Sequence, residues 1–145
     1  MPEQHYKNHS RYVPMYHFVT FGLIGLLIIV GIYKLYRNYQ MGVGGLMTPL
    51  LLLLISVILL LITWYARLFA VKAQDRAIRA EENFRHYLLT GKPLDGKLRM
   101  EQIIGLRFAS DAEMPALAKR AVEENLSSKE IKQAIQNWRS DHNRA

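Results

Sequence analysis

The sequence predicts an all-α protein in which a two-helix transmembrane hairpin extends, through its second helix, into a small cytoplasmic helical domain. Three observations indicate this fold class. Two apolar segments are each longer than the roughly 20 residues that cross the hydrocarbon core of a bilayer. A short connection containing Gly42, Gly44 and Gly45 joins them, which makes them antiparallel neighbours. Outside these two segments, most of the charged residues follow Val71.

The two predicted spans cover residues 13–35 and residues 49–71. Between Arg37 and Arg67 the chain has no Asp, Glu, Lys, Arg or His. A backbone that crosses lipid must satisfy its own hydrogen bonds, so both segments are expected to be helices. The alternative is a pair of buried helices in a soluble core, but so small a chain has too little other sequence to cover them. The first apolar run is too long for a signal peptide, so we expect a retained helix.

The charges that flank the spans predict which side of the membrane each end occupies. The flanks that carry the two termini contain Lys7, Arg11, Arg67, Lys72, Arg76 and Arg79, whereas the loop end contains only Lys34 and Arg37. The positive-inside rule therefore predicts a multi-pass protein with both termini in the cytoplasm. The other predicted segments are an N-terminal cytoplasmic flank (1–12), an extracytoplasmic loop (36–48), a cytoplasmic extension of the second helix (72–90) and a helical cytoplasmic domain (91–145).

Amphipathic side chains cluster where the spans are expected to meet the lipid headgroups. Aromatic rings suit that depth, and a long arginine side chain can reach the interface from within a helix. The predicted membrane-interface anchors are Tyr12, Tyr16, Tyr33, Tyr36, Trp64, Tyr65 and Arg67.

Small residues, rather than charged ones, mark the interior of the two spans. Residues of this size permit close contact between helices. They are Gly22, Gly25 and Gly31 in the first span, with Ser56 and Thr63 in the second. Proton relays and ion pathways usually need ionisable groups at that depth, and two helices cannot line a pore alone.

An apolar seam begins at the end of the second span, and its members repeat with heptad spacing. The seam consists of Ala66, Ala70, Ala73, Ala77, Ala80, Phe84 and Tyr87. Steps of four and three residues are the a/d pattern of helices that pack together. Charged residues surround the seam, and some have the i,i+4 spacing of helical ion pairs. These pairs are Asp75–Arg79, Glu81–Arg85 and Glu82–His86.

Two hypotheses account for the helix-packing seam. In the first, the C-terminal helices of the same chain pack on it. In the second, a partner helix does so, from a second copy or from another protein. The helix that carries the seam is expected to end near Leu89, because Gly91 is typical of a helix C-cap and Pro93 follows it.

Three short helices are predicted beyond this stop. The first covers residues 98–108, although Gly105 disfavours a helix interior. The other two begin at the capping-box sequences Ser110-x-x-Glu113 and Ser127-x-x-Glu130, and they cover residues 111–125 and 128–140. The last helix is expected to place one face inward, formed by Ile131, Ala134, Ile135 and Trp138.

Residue patterns that carry chemistry are sparse. The chain has no cysteine, which excludes disulfides and thiolate sites. It contains no P-loop, G-x-S-x-G, H-E-x-x-H, dinucleotide-binding glycine fingerprint or EF-hand loop. His5 and His9 have the spacing to share a metal on a helix, but Glu3 is the only carboxylate nearby. We therefore expect no enzymatic activity, no catalytic residues, no metal and no cofactor.

Nucleic-acid binding is not expected either. Residues 126–131 resemble the turn of a helix-turn-helix unit. However, the residues after Val71 comprise 14 basic and 11 acidic side chains, and that near balance does not predict a phosphate-binding face. No small-molecule substrate is evident from the sequence.

Several short segments spread over nearly the whole chain resemble a known family. They are Tyr6-Lys7-Asn8-His9, Val13-Pro14, His17-Phe18, Asn83-Phe84-Arg85, Gln102-Ile103-Ile104, Leu106-Arg107-Phe108-Ala109-Ser110-Asp111, and Ile131-Lys132-Gln133-Ala134-Ile135 with Trp138. In these segments the chain is similar to an uncharacterised family of small bacterial two-helix inner-membrane proteins, a domain of unknown function. The resemblance implies a bacterial inner-membrane location, and it implies no activity, substrate or catalytic residue.

These observations favour a non-enzymatic accessory or scaffold protein that is anchored in the membrane and associates with a larger membrane complex. Its expected partners are the lipid bilayer and a protein, or a second copy bound through the helices. The alternative is a homo-oligomeric or auxiliary component of a transporter or channel, against which the lack of charge at mid-membrane depth counts.

Overall fold

The computed structural model describes residues 13–42 and 44–141. The predicted N-terminal flank (1–12), with the anchor Tyr12, lies outside these residues, as does the end of the predicted C-terminal domain. The helices are α1 (Phe21–Gln40), α2 (Met47–Thr90), α3 (Met100–Leu106), α4 (Met114–Glu123) and α5 (Ser128–Ala134), and a π-helical turn, Met15–Thr20, directly precedes α1. The described residues contain no strand beyond one isolated bridge between Ala109 and Trp138, so the all-α prediction is confirmed.

The described residues divide into two compact units, one that ends at Phe69 and one that begins at Ala70. The first unit contains the two apolar segments. The helical stretches Met15–Gln40 and Met47–Thr90 are both long and apolar enough to cross a membrane, judged by length and composition. Only 11% of the most apolar 18-residue window of each stretch is buried. A core helix of a soluble domain would be mostly buried, so these segments differ from such helices.

Small residues of the first unit mark close contact between α1 and α2. A Cβ atom at Gly31 would lie 2.8 Å from Cδ2 of Leu53, so only glycine fits without a shift of that side chain. Ser56 is fully buried. Gly22 and Gly25, in contrast, have no atom within 4 Å of the Cβ position. Of the predicted contact residues, Gly31 and Ser56 therefore lie in contacts, while Gly22 and Gly25 do not.

The connection between α1 and α2 is shorter than the predicted loop. Helix α1 continues past residue 35, the predicted end of the first span, to Gln40. Nδ2 of Asn38 then donates to the carbonyl oxygen of Gly45 at 3.2 Å, which ties the end of α1 to the residues that precede α2.

Helix α2 runs without a break from Met47 to Thr90, across the boundary between the apolar and the charged parts of the sequence. Its 44 residues span about 66 Å at about 1.5 Å per residue. Pro49 lies in the first turn, where its missing N–H leaves no hydrogen bond unmade. At the other end, Gly91 has a φ of 72° and its N–H donates to Tyr87 at 2.8 Å. The predicted glycine stop is confirmed.

The second unit, from Ala70 onwards, forms a compact module around one apolar core. Ile78 of α2 and Leu98 join residues of α3, α4 and α5 there, and the largest fully buried apolar side chains are Phe108, Leu106, Met114 and Ile131. Residues of three short helices thus share a single core with part of a long one.

A close approach between α3 and α5 explains the glycine inside α3. A Cβ atom at Gly105 would lie 3.1 Å from Cγ2 of Ile131 and 3.4 Å from the carbonyl oxygen of Ser128. Helix α3 accordingly tolerates the low helix propensity of glycine because a larger residue would push α5 away.

Helix α4 begins later than predicted, and its C-terminal cap contains no glycine. It begins at Met114 rather than near residue 111, with Pro115 in its first turn. At the C-terminus the N–H of Leu126 donates to Ala121 at 3.2 Å, and Asn125 takes a φ of 49°. This is the Schellman arrangement, with asparagine in the left-handed position that glycine usually fills.

Helix α5 begins as predicted and ends earlier. Ser127 Oγ accepts from the N–H of Glu130, and the Glu130 carboxylate accepts from Ser127, so the predicted capping box is confirmed. The helix stops at Ala134 rather than near Ser140, because Ile135 is extended and the chain turns to pair with another segment. The prediction that Trp138 lies on a helical face is therefore wrong.

Candidate functional site

The helix-packing seam is the first candidate surface, and the C-terminal helices of the chain do not cover it. All seven members, Ala66, Ala70, Ala73, Ala77, Ala80, Phe84 and Tyr87, are exposed. The core of the module instead includes Ile78 of α2, and the next buried position on that helix is Glu82. The first hypothesis, that the chain's own helices pack on the seam, is therefore corrected, because they use the opposite face of α2.

An ionic cluster centred on Arg85 joins that opposite face to the rest of the module. Its Nε donates to Oδ1 of Asp111 at 2.7 Å, its Nη1 donates to Oε2 of Glu82 at 3.0 Å, and its Nη2 donates to the carbonyl oxygen of Ala109 at 2.7 Å. The Arg85 and Glu82 side chains are only 11% and 8% exposed, whereas that of Asp111 is 68% exposed. All three guanidinium nitrogens thus bind, and the buried Glu82 carboxylate has a charged donor.

The predicted i,i+4 ion pairs along α2 are not formed. Among the described residues no ion pair joins Asp75 to Arg79, Glu81 to Arg85, or Glu82 to His86. Arg85 pairs with the residue three positions before it, since Glu82 faces the module while Glu81 faces outward.

A second tie holds the loop after α2 against that helix. Oδ1 of Asn83 accepts from the N–H of Leu94 at 2.9 Å. Nδ1 of His86 lies 2.8 Å from the carbonyl oxygen of Lys92. Within the Asn83-Phe84-Arg85 segment, Asn83 therefore binds the loop after α2, and Arg85 belongs to the ionic cluster. Phe84 lies between them and is exposed.

The segment after α5 is bound to the segment after α3 by backbone and side chains. The N–H of Ser110 donates to the carbonyl oxygen of Asn137 at 3.1 Å, and the N–H of Arg139 donates to the carbonyl oxygen of Phe108 at 2.7 Å. Oε1 of Glu113 accepts from both the N–H and the Nδ2 of Asn137, at 2.9 and 2.8 Å. The predicted capping box at Ser110 is wrong, because the Glu113 carboxylate binds this distant segment instead.

Aromatic stacking closes the same junction. The rings of Phe108 and Trp138 are stacked with centroids 4.8 Å apart. Cζ of Arg107 lies 4.8 Å from the Phe108 centroid, and Nζ of Lys132 lies 5.6 Å from it, so two cations flank one ring. Arg107 also pairs with Asp141 at 3.2 Å. The Arg107-to-Asp111 segment thus binds α2 on one side and the end of the chain on the other.

Gln102 is a buried polar residue that sequence reasoning did not single out. Its Nε2 donates to the carbonyl oxygens of Ala121 and Leu126, at 3.1 and 2.8 Å, and its Oε1 accepts from the N–H of Arg99 at 2.8 Å. The glutamine at the third position of α3 was the available signal, since that position often binds back to the N-cap. Its bonds to the end of α4 depend on the fold and leave no trace in local sequence.

A shallow cleft of about 280 Å³ lies beside the Arg85 cluster. It is lined by Glu81, Glu82, Phe84, Arg85, Leu88, Leu89, Asp111 and Arg139. Two of its three carboxylates, those of Glu82 and Asp111, accept hydrogen bonds from Arg85. The described residues contain no group of three or more His, Asp or Glu side chains placed to bind a metal, and the candidate pair His5 and His9 lies outside them.

The predicted membrane-interface anchors that the structure describes lie on helices and are mostly exposed. Tyr33, Tyr36, Trp64 and Tyr65 each expose half or more of their area. Tyr16 and Arg67 are half-buried, and the Tyr16 hydroxyl donates to the carbonyl oxygen of Thr63 at 2.6 Å. The positions are compatible with headgroup contact, which stays a prediction.

Two carboxylates of the module have perturbed acidity. The hydrogen bond from the Arg120 side chain lowers the pKa of Glu124, and the bonds from the backbone and hydroxyl of Ser127 lower the pKa of Glu130. Glu124 pairs with Arg120 at the exposed end of α4, and Glu130 completes the α5 capping box. Both shifts thus reflect helix stabilisation.

The fold and these contacts define the class: an all-α protein that joins two long apolar helices to a compact helical module whose polar side chains bind one another. The chain belongs to a family of unknown function (DUF6526), whose model matches residues 1–145. Searches of curated proteins and of solved structures gave no match.

Proposed function

We propose that this protein is a non-enzymatic accessory protein of the bacterial inner membrane. Its two apolar helices form a transmembrane hairpin with both termini in the cytoplasm, and the module acts as a scaffold for a larger membrane complex. The observation that carries the proposal is α2 itself, which runs unbroken from an exposed apolar segment into a folded, charged module. Such a helix is suited to hold the module at a membrane surface.

The exposed apolar residues of α2 support the membrane anchor. Leu50, Leu54, Leu61 and Ile62 are each about half exposed or more. Burial of such a side chain away from water contributes about 1.5–3 kcal/mol, so a long run of them is strongly disfavoured in contact with water. Monomeric soluble proteins rarely expose a continuous apolar surface of this extent, whereas lipid tails would cover it.

Two contacts support an antiparallel hairpin. Gly31, late in α1, approaches Leu53, early in α2. Tyr16, before α1, binds Thr63, which comes ten residues after Leu53. The partners advance along α2 as they recede along the first helix, which is the order of antiparallel neighbours. The surplus of flanking lysine and arginine on the side of the termini favours a cytoplasmic location for both.

The use of polar residues in the module supports a scaffold role. The buried or nearly buried polar groups of the module that would first be considered for chemistry each bind partners that hold its elements together. They are Arg85, Glu82, Gln102 and Arg107. Side chains so engaged maintain a shape. A surface of fixed shape beside a membrane is what a protein partner would recognise.

Purification in mild detergent tests this proposal. The tagged full chain should recover a defined set of membrane proteins, identified by mass spectrometry. The matched control is Phe108→Ala, which removes the largest buried side chain of the module and leaves both apolar helices unchanged. That variant should stay in the membrane fraction and lose the partners. Recovery of the wild-type chain alone at every expression level would contradict the scaffold role.

A further inference from the structure

Three large apolar side chains near the C-terminal end of α2 are exposed. Phe84 is 62% exposed, Tyr87 is 53% exposed and Leu88 is 67% exposed, although all three lie in the charged part of the chain. Phe84 and Tyr87 are the last two members of the seam, and Leu88 flanks them. Large side chains in this position indicate a surface that is covered by a partner.

We propose that the seam of α2 binds the seam of a second copy of this chain in a parallel, in-register, two-stranded coiled coil. In this arrangement each seam residue meets its own counterpart. The parallel direction rests on the proposed function, because two copies anchored in one bilayer with the same topology extend their α2 helices the same way. The pairing surface itself does not depend on the proposed function, because it consists of the exposed seam residues of α2.

The position of the module on α2 leaves this pairing unobstructed. The residues of α2 in the core and in the Arg85 cluster are Ile78, Glu82 and Arg85, while Asn83 and His86 bind residues 94 and 92 of the loop that follows the helix. At about 3.6 residues per turn, Ile78, Glu82 and Arg85 lie about 130–180° around the helix from the line through the seam, and Asn83 lies about 80° from it. Two α2 helices can therefore meet along their seams while each module stays on the outside of the pair.

Charge complementarity favours a second copy over an unrelated helix. With Ala70, Ala77 and Phe84 as a positions, Arg76 falls at g and Glu81 at the following e. In a parallel dimer a g residue faces the next e residue of the other helix, so Arg76 of each copy meets Glu81 of the other. Within the described residues neither Arg76 nor Glu81 has an ion pair inside its own chain. The dimer thus provides an ion-pair partner for Arg76 and for Glu81 of each copy, which gives two interchain ion pairs.

The composition of the seam sets where the dimer should form. Five of its seven members are alanines, which let helices approach closely but bury little area. Phe84 and Tyr87 add two aromatic layers at the far end. A seam this short is marginal for association in solution, whereas confinement of two copies in one membrane raises their effective concentration. We therefore expect the dimer in membranes and its loss on dilution in detergent.

Cysteine cross-linking tests the surface directly, because the natural chain contains no cysteine. Single variants of the full chain are oxidised with copper phenanthroline in isolated membranes. Ala80→Cys, in the seam, should form a disulfide-linked homodimer, since a disulfide requires Cβ atoms about 4 Å apart. Arg79→Cys is the matched control, since it is exposed and adjacent but outside the seam. Its yield should be lower by about fivefold, because its Cβ points away from the partner.

A charge swap tests the identity of the partner. Glu81→Arg places like charges opposite Arg76 and should reduce the cross-linked yield at Ala80 about fivefold. Arg76→Glu should do the same, and the double variant Arg76→Glu/Glu81→Arg should restore the yield. Restoration requires that both residues of the pair come from copies of this chain.

Three results would overturn the pairing. Equal yields at residues 79 and 80 would show random collision. A cross-linked product of another mass would show a different protein on the seam. Failure of the double charge swap to restore the yield would show that Arg76 and Glu81 do not meet. Release of the chain from membranes by alkaline carbonate would instead overturn the membrane anchor, whereas the cross-linking pattern in the untreated membranes decides the pairing.

Discussion

The two apolar helices and the C-terminal module differ in where their large apolar side chains lie. In the module, Leu106 and Phe108 are fully buried by the chain itself. In the apolar helices, Leu54, Ile62 and Trp64 are all more than half exposed. The module therefore buries its own apolar side chains, whereas the apolar helices need surroundings that the described residues do not provide.

The two regions also differ in how many of their polar side chains make long-range contacts. In the module, Arg85 binds Asp111 across 26 residues, and Glu113 binds Asn137 across 24 residues. In the apolar helices, the hydroxyl of the buried Ser56 binds the carbonyl oxygen four residues before it, and the bond from Tyr16 to Thr63 is the one long-range side-chain hydrogen bond among their described residues. Long-range polar contacts fix one arrangement of the module, and mutations should therefore act differently in the two regions.

Removal of a core ring should produce the largest difference. Phe108→Ala should lower the free energy of unfolding of the module by about 3–5 kcal/mol, since it leaves a cavity and removes the stack on Trp138. Limited proteolysis of membranes that contain the variant should show rapid cleavage after residue 90. Leu54→Ala, at an exposed position of α2, is the control and should leave the module resistant. Equal resistance of both variants would mean that the module has no self-sufficient core.

Loss of the central arginine should have the next largest effect. Arg85→Met leaves the Glu82 carboxylate, 8% exposed, without its charged donor, and should cost about 3 kcal/mol. Arg79→Met, on the exposed side of the same helix, should stay within about 0.5 kcal/mol of wild type. Urea unfolding followed by Trp138 fluorescence measures both.

A second substitution sharpens the test of this cluster. Adding Glu82→Met to Arg85→Met removes the unpaired charge and should recover most of the lost stability. If the double variant is no more stable than Arg85→Met, the Glu82 carboxylate is not the group that suffers when the arginine is removed.

The same glycine substitution should have opposite effects in the two regions. Gly105→Ala should destabilise the module by about 1–2 kcal/mol, because the new methyl would lie 3.1 Å from Cγ2 of Ile131. Gly22→Ala meets nothing within 4 Å in α1 and gains the helix propensity of alanine, so it should be neutral or stabilising. Thermal unfolding in detergent separates the two, and a stabilised Gly105→Ala variant would argue against the close packing of α3 and α5.

The smallest effect should come from pH. Because hydrogen bonds from Ser127 lower the pKa of Glu130 in the folded state, the unfolded chain takes up its proton first as the pH falls. The contribution of this capping box is therefore full above the ordinary glutamate pKa and is lost as the pH falls through that value towards the lower folded one. Ser127→Ala should reduce this dependence and cost about 1 kcal/mol near neutral pH. An unchanged slope of stability against pH in the variant would contradict the assignment.

Local sequence patterns predicted the helices well, since caps and periodicity act within a few residues. The Ser127 capping box and the Gly91 stop were predicted correctly for this reason. The box at Ser110 was predicted wrongly because Glu113 binds Asn137, which lies far along the chain. The early end of α5 has the same cause, since the bridge at Trp138 competes with helix continuation.

Only part of the candidate surfaces could be predicted from the sequence, again because contacts between distant residues decide the rest. Heptad spacing identified the seam, but not which face of α2 the module occupies. That face contains Glu82 and Arg85, which look like solvent-exposed residues in the sequence. Their burial depends on Asp111 and the Ala109 carbonyl, which only the fold brings near.

Labelling from one side of the membrane tests most directly whether the apolar helices span the membrane and hold the module in the cytoplasm. Single cysteines at Gly44, between the helices, and at Ser140, at the end of the module, would test it with a membrane-impermeant maleimide. In intact spheroplasts we expect Gly44→Cys to be labelled and Ser140→Cys to be labelled only after the membrane is permeabilised. Labelling of Ser140→Cys in intact spheroplasts would show that the module does not lie in the cytoplasm.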